Sequence, residues 1–264
     1  MFSVFKANTL NSTESVDIIE KIAFEYLKPL GFKKYGRTLH RYVDGDISQV
    51  IDFQNGCPEK GIYGILWINL GIRIPECVER SFVISEPLKK YYHEYECNIR
   101  TRLGMLVDGK DTHYNLKKDP TKTGNDIVER IRKYVIPVFD ALNSRDAILK
   151  HRLEYSLFDQ MNNHLILLEE AMIWGRKGNI TEAHRLFNLH YQNTLEEYSH
   201  DLEYGTKTYL KKGERVVYRN NKTNETETIT ATQNGYVTIY SANKGHLIYL
   251  EELAKSLGIA LDTK

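Results

Sequence analysis

The chain has 264 residues, 41% of them hydrophobic and 27% charged, which fits a globular protein with a sizeable core rather than a disordered one. Lys plus Arg number 36 and Asp plus Glu 35, so net charge gives no general pull toward nucleic acid or an anionic membrane. No window of the sequence holds the 18 or so apolar residues of a membrane span, and no long apolar run marks a signal peptide at the N-terminus.

Residues 13–30 predict an amphipathic helix, with Val16, Ile19, Ala23, Tyr26, Leu27 and Leu30 at three- and four-residue steps. Ser12 or Thr13 is the expected cap, and PLGF (Pro29 to Phe32) is a stop signal, with Gly31 suited to the left-handed turn that closes a helix. Leu27, Leu30 and Phe32 are expected in the core. RTLHRYV and DISQVIDFQ flank Asp44-Gly45, the signature of a β-hairpin. In the second run Ile47, Gln49, Ile51 and Phe53 share one face, and Ser48, Val50, Asp52 and Gln54 the other. GIYGILWINLGIRIP predicts a central strand ended by Pro75, ECNIRTRLGMLV another strand, and THYNL a short one. Asp126 is expected to open a helix that Pro137 kinks, and Ser144 to start a short one.

Beyond residue 150 the pattern changes. LFDQMNNHLILLEEAMIW predicts a long helix with Met161, Leu165, Leu168 and Met172 in line. Asn179 caps a second helix, completing a hairpin whose stretch 151–204 carries more acidic than basic side chains. The runs GERVVYR, TETITAT and YVTIYS predict a small antiparallel meander, and HLIYLEELAKSLGI a closing helix with Gly258 as its C-cap. The expected organisation is therefore an α+β domain at 1–150, a helical hairpin at 151–204 and a β-meander plus helix at 205–264. The fold class is α+β, an antiparallel sheet of four to five strands covered by helices.

Several segments in this order carry a resemblance: LKPLGFKKYGRTLHRY, IDFQ, INLGI, CNIRTRLG, THYNL and DIVERIRKYVIPVFDAL. Together they resemble the bacterial family catalogued as domain of unknown function 4304, over roughly residues 10–150. The resemblance implies an α+β domain in a bacterial cytoplasm and no assigned activity.

No phosphate-binding loop, GxGxxG, GxSxG or HExxH motif is present, so no cofactor is expected. Cys57, Cys77 and Cys97 stand about twenty residues apart, and His184, His190 and His200 lack i, i+4 spacing, so no metal is expected. An odd number of unpaired cysteines suits a reducing compartment, the cytoplasm. YYHEYEC is the segment richest in titratable groups. If it is a strand, Glu94 and Glu96 share a face, and His93 and Asp52 can join them as an acid–base group. The competing reading is a solvated strand edge. Gln54 and Asn69 interrupt apolar strands and either satisfy an irregular turn, the favoured reading, or line a pocket. Tyr91, Tyr92 and Tyr95, among 18 tyrosines, suit an interface.

These features favour a non-catalytic, cytoplasmic protein-binding module that recognises another protein, with an immunity- or defence-associated role as the analogy. The alternative is a small hydrolase using Asp52, Glu94, Glu96 and His93 on the sheet face. Nucleic acid and membrane are not expected partners, and a homodimer is the less favoured arrangement.

Overall fold

A computed structural model describes residues 11–56, 64–158 and 165–262. The chain forms two compact units, Met1–Arg176 and Lys177–Lys264.

The first unit opens with α1, Ser12–Leu27. Its cap is Asn11, one residue before the expected Ser12, in a reciprocal pair with Glu14: each side chain bonds the other's backbone N–H at 2.9 Å. Val16, Ile19, Ala23 and Leu27 are fully buried. PLGF does end the helix. Lys28–Leu30 tightens into a 3₁₀ turn, Gly31 takes φ 88°, and the Phe32 N–H reaches back to the Leu27 carbonyl. Phe32 is buried as expected, but Leu30 is only half-buried, because the tighter turn rotates it off the α-helical stripe.

Strands β1 (Lys33–Tyr35), β2 (Thr38–Val43), β3 (Ile47–Asn55), β4 (Ile65–Arg73) and β5 (Ile99–Arg102) lie side by side in that order, all antiparallel. A short β6 (Tyr114–Asn115) adds to β4. Asp44 and Gly45 both adopt positive φ in the β2–β3 turn, which the Asp-Gly pair permits. After β4, a short helix α2 (Pro75–Glu79) leads into an irregular crossing segment.

The expected long strand at 96–107 is broken into three pieces. Glu94–Glu96 is a 3₁₀ turn, β5 has four residues, and α3 spans Leu103–Asp108. Gly104 sits just past the break, in the first turn of α3, with Thr112 packed so close that a Cβ there would stand 2.3 Å from its Oγ1 and 2.6 Å from its nitrogen. Glu94 and Glu96 therefore do not share a strand face.

Helices α4 (Pro120–Arg130) and α5 (Ile136–Ala141) flank a π-helical turn at Ile131–Val135. The helix opens six residues before the expected Asp126, since Asp119 caps the N–H groups of Thr121 and Lys122 and Pro120 occupies the first position, where no donor is needed. The kink assigned to Pro137 takes the form of that π turn just ahead of it. α6 (Arg145–His151) is capped by Ser144, and α7 is Ile166–Arg176; the stretch 159–164 of the expected helix lies outside the described residues. Met161 lies outside the described residues.

One face of the sheet is covered by helices. The side chain of Gln49 on β3 donates to the Phe139 carbonyl on α5, and the rings of Phe32 and Phe139 stack at 6.3 Å. α1 and α4 close against each other at Gly124, where a Cβ would meet Ile22 at 2.9 Å.

The second unit holds α8 (Ile180–Tyr204), capped by Asn179, four short strands and α9 (Gly245–Leu257). The strands are β7 (Thr206–Leu210), β8 (Arg215–Arg219), β9 (Thr226–Thr230) and β10 (Gly235–Ile239). They do not form the expected meander. β8 pairs with β9 as a hairpin, while β10 skips it to pair with β7, a strand the sequence pattern missed. α9 buries Leu247, Leu250, Leu253 and Ala254 and ends at Gly258, φ 69°. Asn188 of α8 donates to the Ala260 carbonyl and accepts from the Asp262 N–H, fixing the chain end after α9.

Candidate functional site: a polar cleft on the open sheet face

The face of the sheet opposite the helices carries Thr38, His40 and Tyr42 from β2, Ser48, Val50, Asp52 and Gln54 from β3, and Trp67, Asn69, Gly71 and Arg73 from β4. Strand register places Arg100 and Arg102 of β5 beside Gly71 and Asn69. Part of this face is covered by the segment leading to β5. The contact is close: a Cβ on Gly71 would lie 2.7 Å from Cys97 Sγ, so only glycine leaves room for the crossing chain.

The covered part is aromatic. Tyr35 stacks on Tyr91 at 4.8 Å, and Tyr42 meets Tyr92 edge-on. Arg73 lies 4.1 Å from the Tyr92 ring centre. The Tyr42 hydroxyl donates to the Lys89 carbonyl, and burial pushes its ionisation well above the ordinary tyrosine range. His40 is buried among these rings, and its Nε2 has no hydrogen-bond partner among the described residues. Burial, with Lys33 nearby, lowers its pKa to about 4.

The uncovered part is a cleft of about 650 Å³. Asp52, Gln54, Asn69, Thr101, Arg100 and Arg102 contribute from the strands, and Glu94, Tyr95, Met105 and Asp111 complete the lining. Its polar groups are already linked to one another. Asn69 donates to Gln54 Oε1 at 2.9 Å and accepts from Arg102 Nε at 3.1 Å. Arg102 also pairs with Asp111 and lies over the Trp67 ring, 5.3 Å from its centre. Arg100 holds both oxygens of Glu94, at 2.7 and 3.1 Å, and that pairing raises the guanidinium pKa further. Asp52 differs from the other two carboxylates. It accepts a hydrogen bond from the Thr38 hydroxyl at 2.9 Å, and no cation pairs with it among the described residues.

The sequence candidates separate in space. Asp52 and Glu94 line the cleft; His93 and Glu96 do not. His93 Nδ1 is 3.4 Å from the Thr38 hydroxyl, behind Asp52, and its ring stacks on Tyr95 at 5.1 Å. Glu96 turns to Lys89 at 2.7 Å and to the His93 N–H at 2.8 Å. Burial alone would raise its pKa, but these bonds outweigh it and hold the carboxyl below its ordinary value. Of the three tyrosines, Tyr92 is buried, Tyr91 is half-buried against Tyr35, and Tyr95 is 68% exposed at the cleft. Gln54 and Asn69 bond each other across neighbouring strands rather than satisfying a turn.

Arg100, Arg102 and Asp111 were not singled out from the sequence. The signal for the arginines lay in IRTR, whose period of two puts both on one strand face. Asp111 reaches the site only through the fold.

Cys77 and Cys97 are free and buried, and burial pushes both thiols well above their ordinary pKa. Cys57 lies outside the described residues. Among the described residues no group of three His, Cys, Asp or Glu side chains is placed to hold a metal ion, and no helix is long and apolar enough to cross a membrane.

No curated protein and no solved structure matches the chain. A family model does match residues 23–141, the stretch that runs from within α1 to the end of α5 and contains every residue lining the cleft. The sheet, its open cleft and the helices behind it are thus the part of the chain similar to the family described as domain of unknown function (DUF4304).

Proposed function

We propose that the chain is a non-catalytic protein-binding module of the bacterial cytoplasm, with the cleft as its recognition site. The observation that carries this reading is the internal matching of the cleft. Arg100 and Arg102 are each held by a carboxylate, Asn69 by Gln54, and an exposed Tyr95 stands at the edge. Arginine and tyrosine in fixed positions are the residue types that anchor protein interfaces. A matched polar network is pre-organised, so a partner does not have to order it on binding. Catalysis is poorly served by the same geometry. The hydroxyl nearest His93 belongs to Thr38, which is 1% exposed and beyond reach of a substrate, and Glu94 is engaged by Arg100.

The hydrolase alternative rests on one observation, the Asp52 carboxylate open to the cleft with His93 behind Thr38. A photo-reactive amino acid at Tyr95 separates the two. In the native host it is expected to yield a discrete cross-linked protein, which the same group placed at exposed Glu129 does not. Absence of any adduct, together with hydrolysis of a model ester or phosphoester abolished by Asp52→Asn, overturns the reading.

A further inference from the structure

The cleft has a charge surplus of defined location. Its lining holds three carboxylates, Asp52, Glu94 and Asp111, against two guanidinium groups, Arg100 and Arg102. Glu94 and Asp111 are each satisfied by one arginine. Among the described residues Asp52 is left with the Thr38 hydroxyl alone. That hydroxyl gives its one proton to Asp52 and can only accept from His93 Nδ1, 3.4 Å away on its other side, so the carboxylate is held in place. A half-buried carboxylate without a cation is costly to keep dry and gains from a charge brought by another molecule.

We infer that the cleft receives the cationic side chain of a partner protein, a lysine or an arginine, whose charge pairs with Asp52. This rests on the reading of the cleft as a protein-recognition site. The neighbouring groups suit that occupant. Gln54 is exposed beside Asp52 on the same strand face, and its amide oxygen can accept from an ammonium or guanidinium. Tyr95 is steadied by its stack on His93 and offers an aromatic edge of the cleft for the alkyl stem or the cation. An anionic group is the wrong occupant. It would have to displace Glu94 or Asp111 from an arginine while approaching an unneutralised Asp52.

The test is an NMR titration of the full chain with N-acetyl-arginine amide and N-acetyl-lysine amide. Saturable shifts are expected at the amides of Asp52, Gln54 and Tyr95, weakening as salt is raised. Asp52→Asn should reduce the affinity at least about tenfold, the factor for losing roughly 1.4 kcal/mol. Glu129→Gln, on the exposed side of α4, should not change it. If Asp52→Asn fails to fold, Tyr95→Ala replaces it, with a weaker but measurable loss expected. Equal shifts with the neutral isostere N-acetyl-citrulline amide, preferential binding of N-acetyl-aspartate amide, or no effect of Asp52→Asn would each overturn the inference. Cross-linking from Tyr95 that persists at full yield in Asp52→Asn removes the cation and keeps the protein partner. Asp52-dependent binding of the arginine amide with no cross-linked protein does the reverse.

Discussion

The two faces of β3 meet different fates. Ile47, Gln49, Ile51 and Phe53 point toward α1 and α5, and all four are buried. On the other face Ser48 and Val50 are buried by the crossing segment, Asp52 is half-buried and Gln54 is exposed. An antiparallel sheet needs only one face covered to hold its core. The helices supply that cover here, so the second face can carry a polar network in a cleft without weakening the core. Change should therefore be costly on the helix-covered face and, at the cleft, silent in stability but visible in binding.

The largest loss is expected on the helix-covered face. Phe53→Ala removes a fully buried ring from the core and should cost about 3–5 kcal/mol, read as a lower denaturation midpoint. If the midpoint barely moves, the helices are not the principal cover of the sheet.

On the tyrosine-covered part of the other face, the burden is buried His40. Its folded-state pKa is about 4 against an ordinary value of 6.5. A base with a lowered pKa binds fewer protons folded than unfolded between those values. Its contribution is therefore intact above pH 6.5 and declines as pH falls toward 4, by roughly 3 kcal/mol at about 1.4 kcal/mol per pH unit. His40→Phe should flatten that part of the stability–pH curve. An unchanged slope would place the acid sensitivity elsewhere.

Gly71→Ala probes the same cover at its closest point. The methyl group must push Cys97 and the crossing segment outward, with an expected cost of roughly 1–3 kcal/mol. A neutral result in thermal unfolding would mean that the segment yields freely. Tyr95→Ala should have the smallest effect on stability, within about 0.5 kcal/mol, since the side chain is 68% exposed. Its effect should appear instead as weakened binding of the arginine amide, which makes it the sharpest contrast with Phe53.

Much of the first unit was legible residue by residue. The stripe of α1, the glycine stop, the Asp-Gly turn and the two faces of β3 follow from side-chain period and backbone preference, which are local properties. Helix α4 starts at Asp119–Pro120 rather than at Asp126, because an aspartate cap followed by proline is itself a complete local start signal. The breaking of the 96–107 strand was not local. It goes with the close packing of Thr112 on Gly104, a contact between segments whose meeting the chain's own pattern does not announce. The pairing of β10 with β7 across an intervening hairpin is of the same kind.

For the candidate site the division is sharper. Side-chain alternation put Asp52 and Gln54 on one strand face, and local stereochemistry made PLGF and Asp-Gly turns rather than chemistry. Periodicity and turn stereochemistry require no distant partner. It took the folded chain to give Arg102 to Asp111 and Arg100 to Glu94, to turn Glu96 away to Lys89, and to leave Asp52 without a cation among the described residues. The physical reason is that charge pairing acts over a few ångströms in space, and strand register and the crossing segment set those distances whatever the separation along the chain.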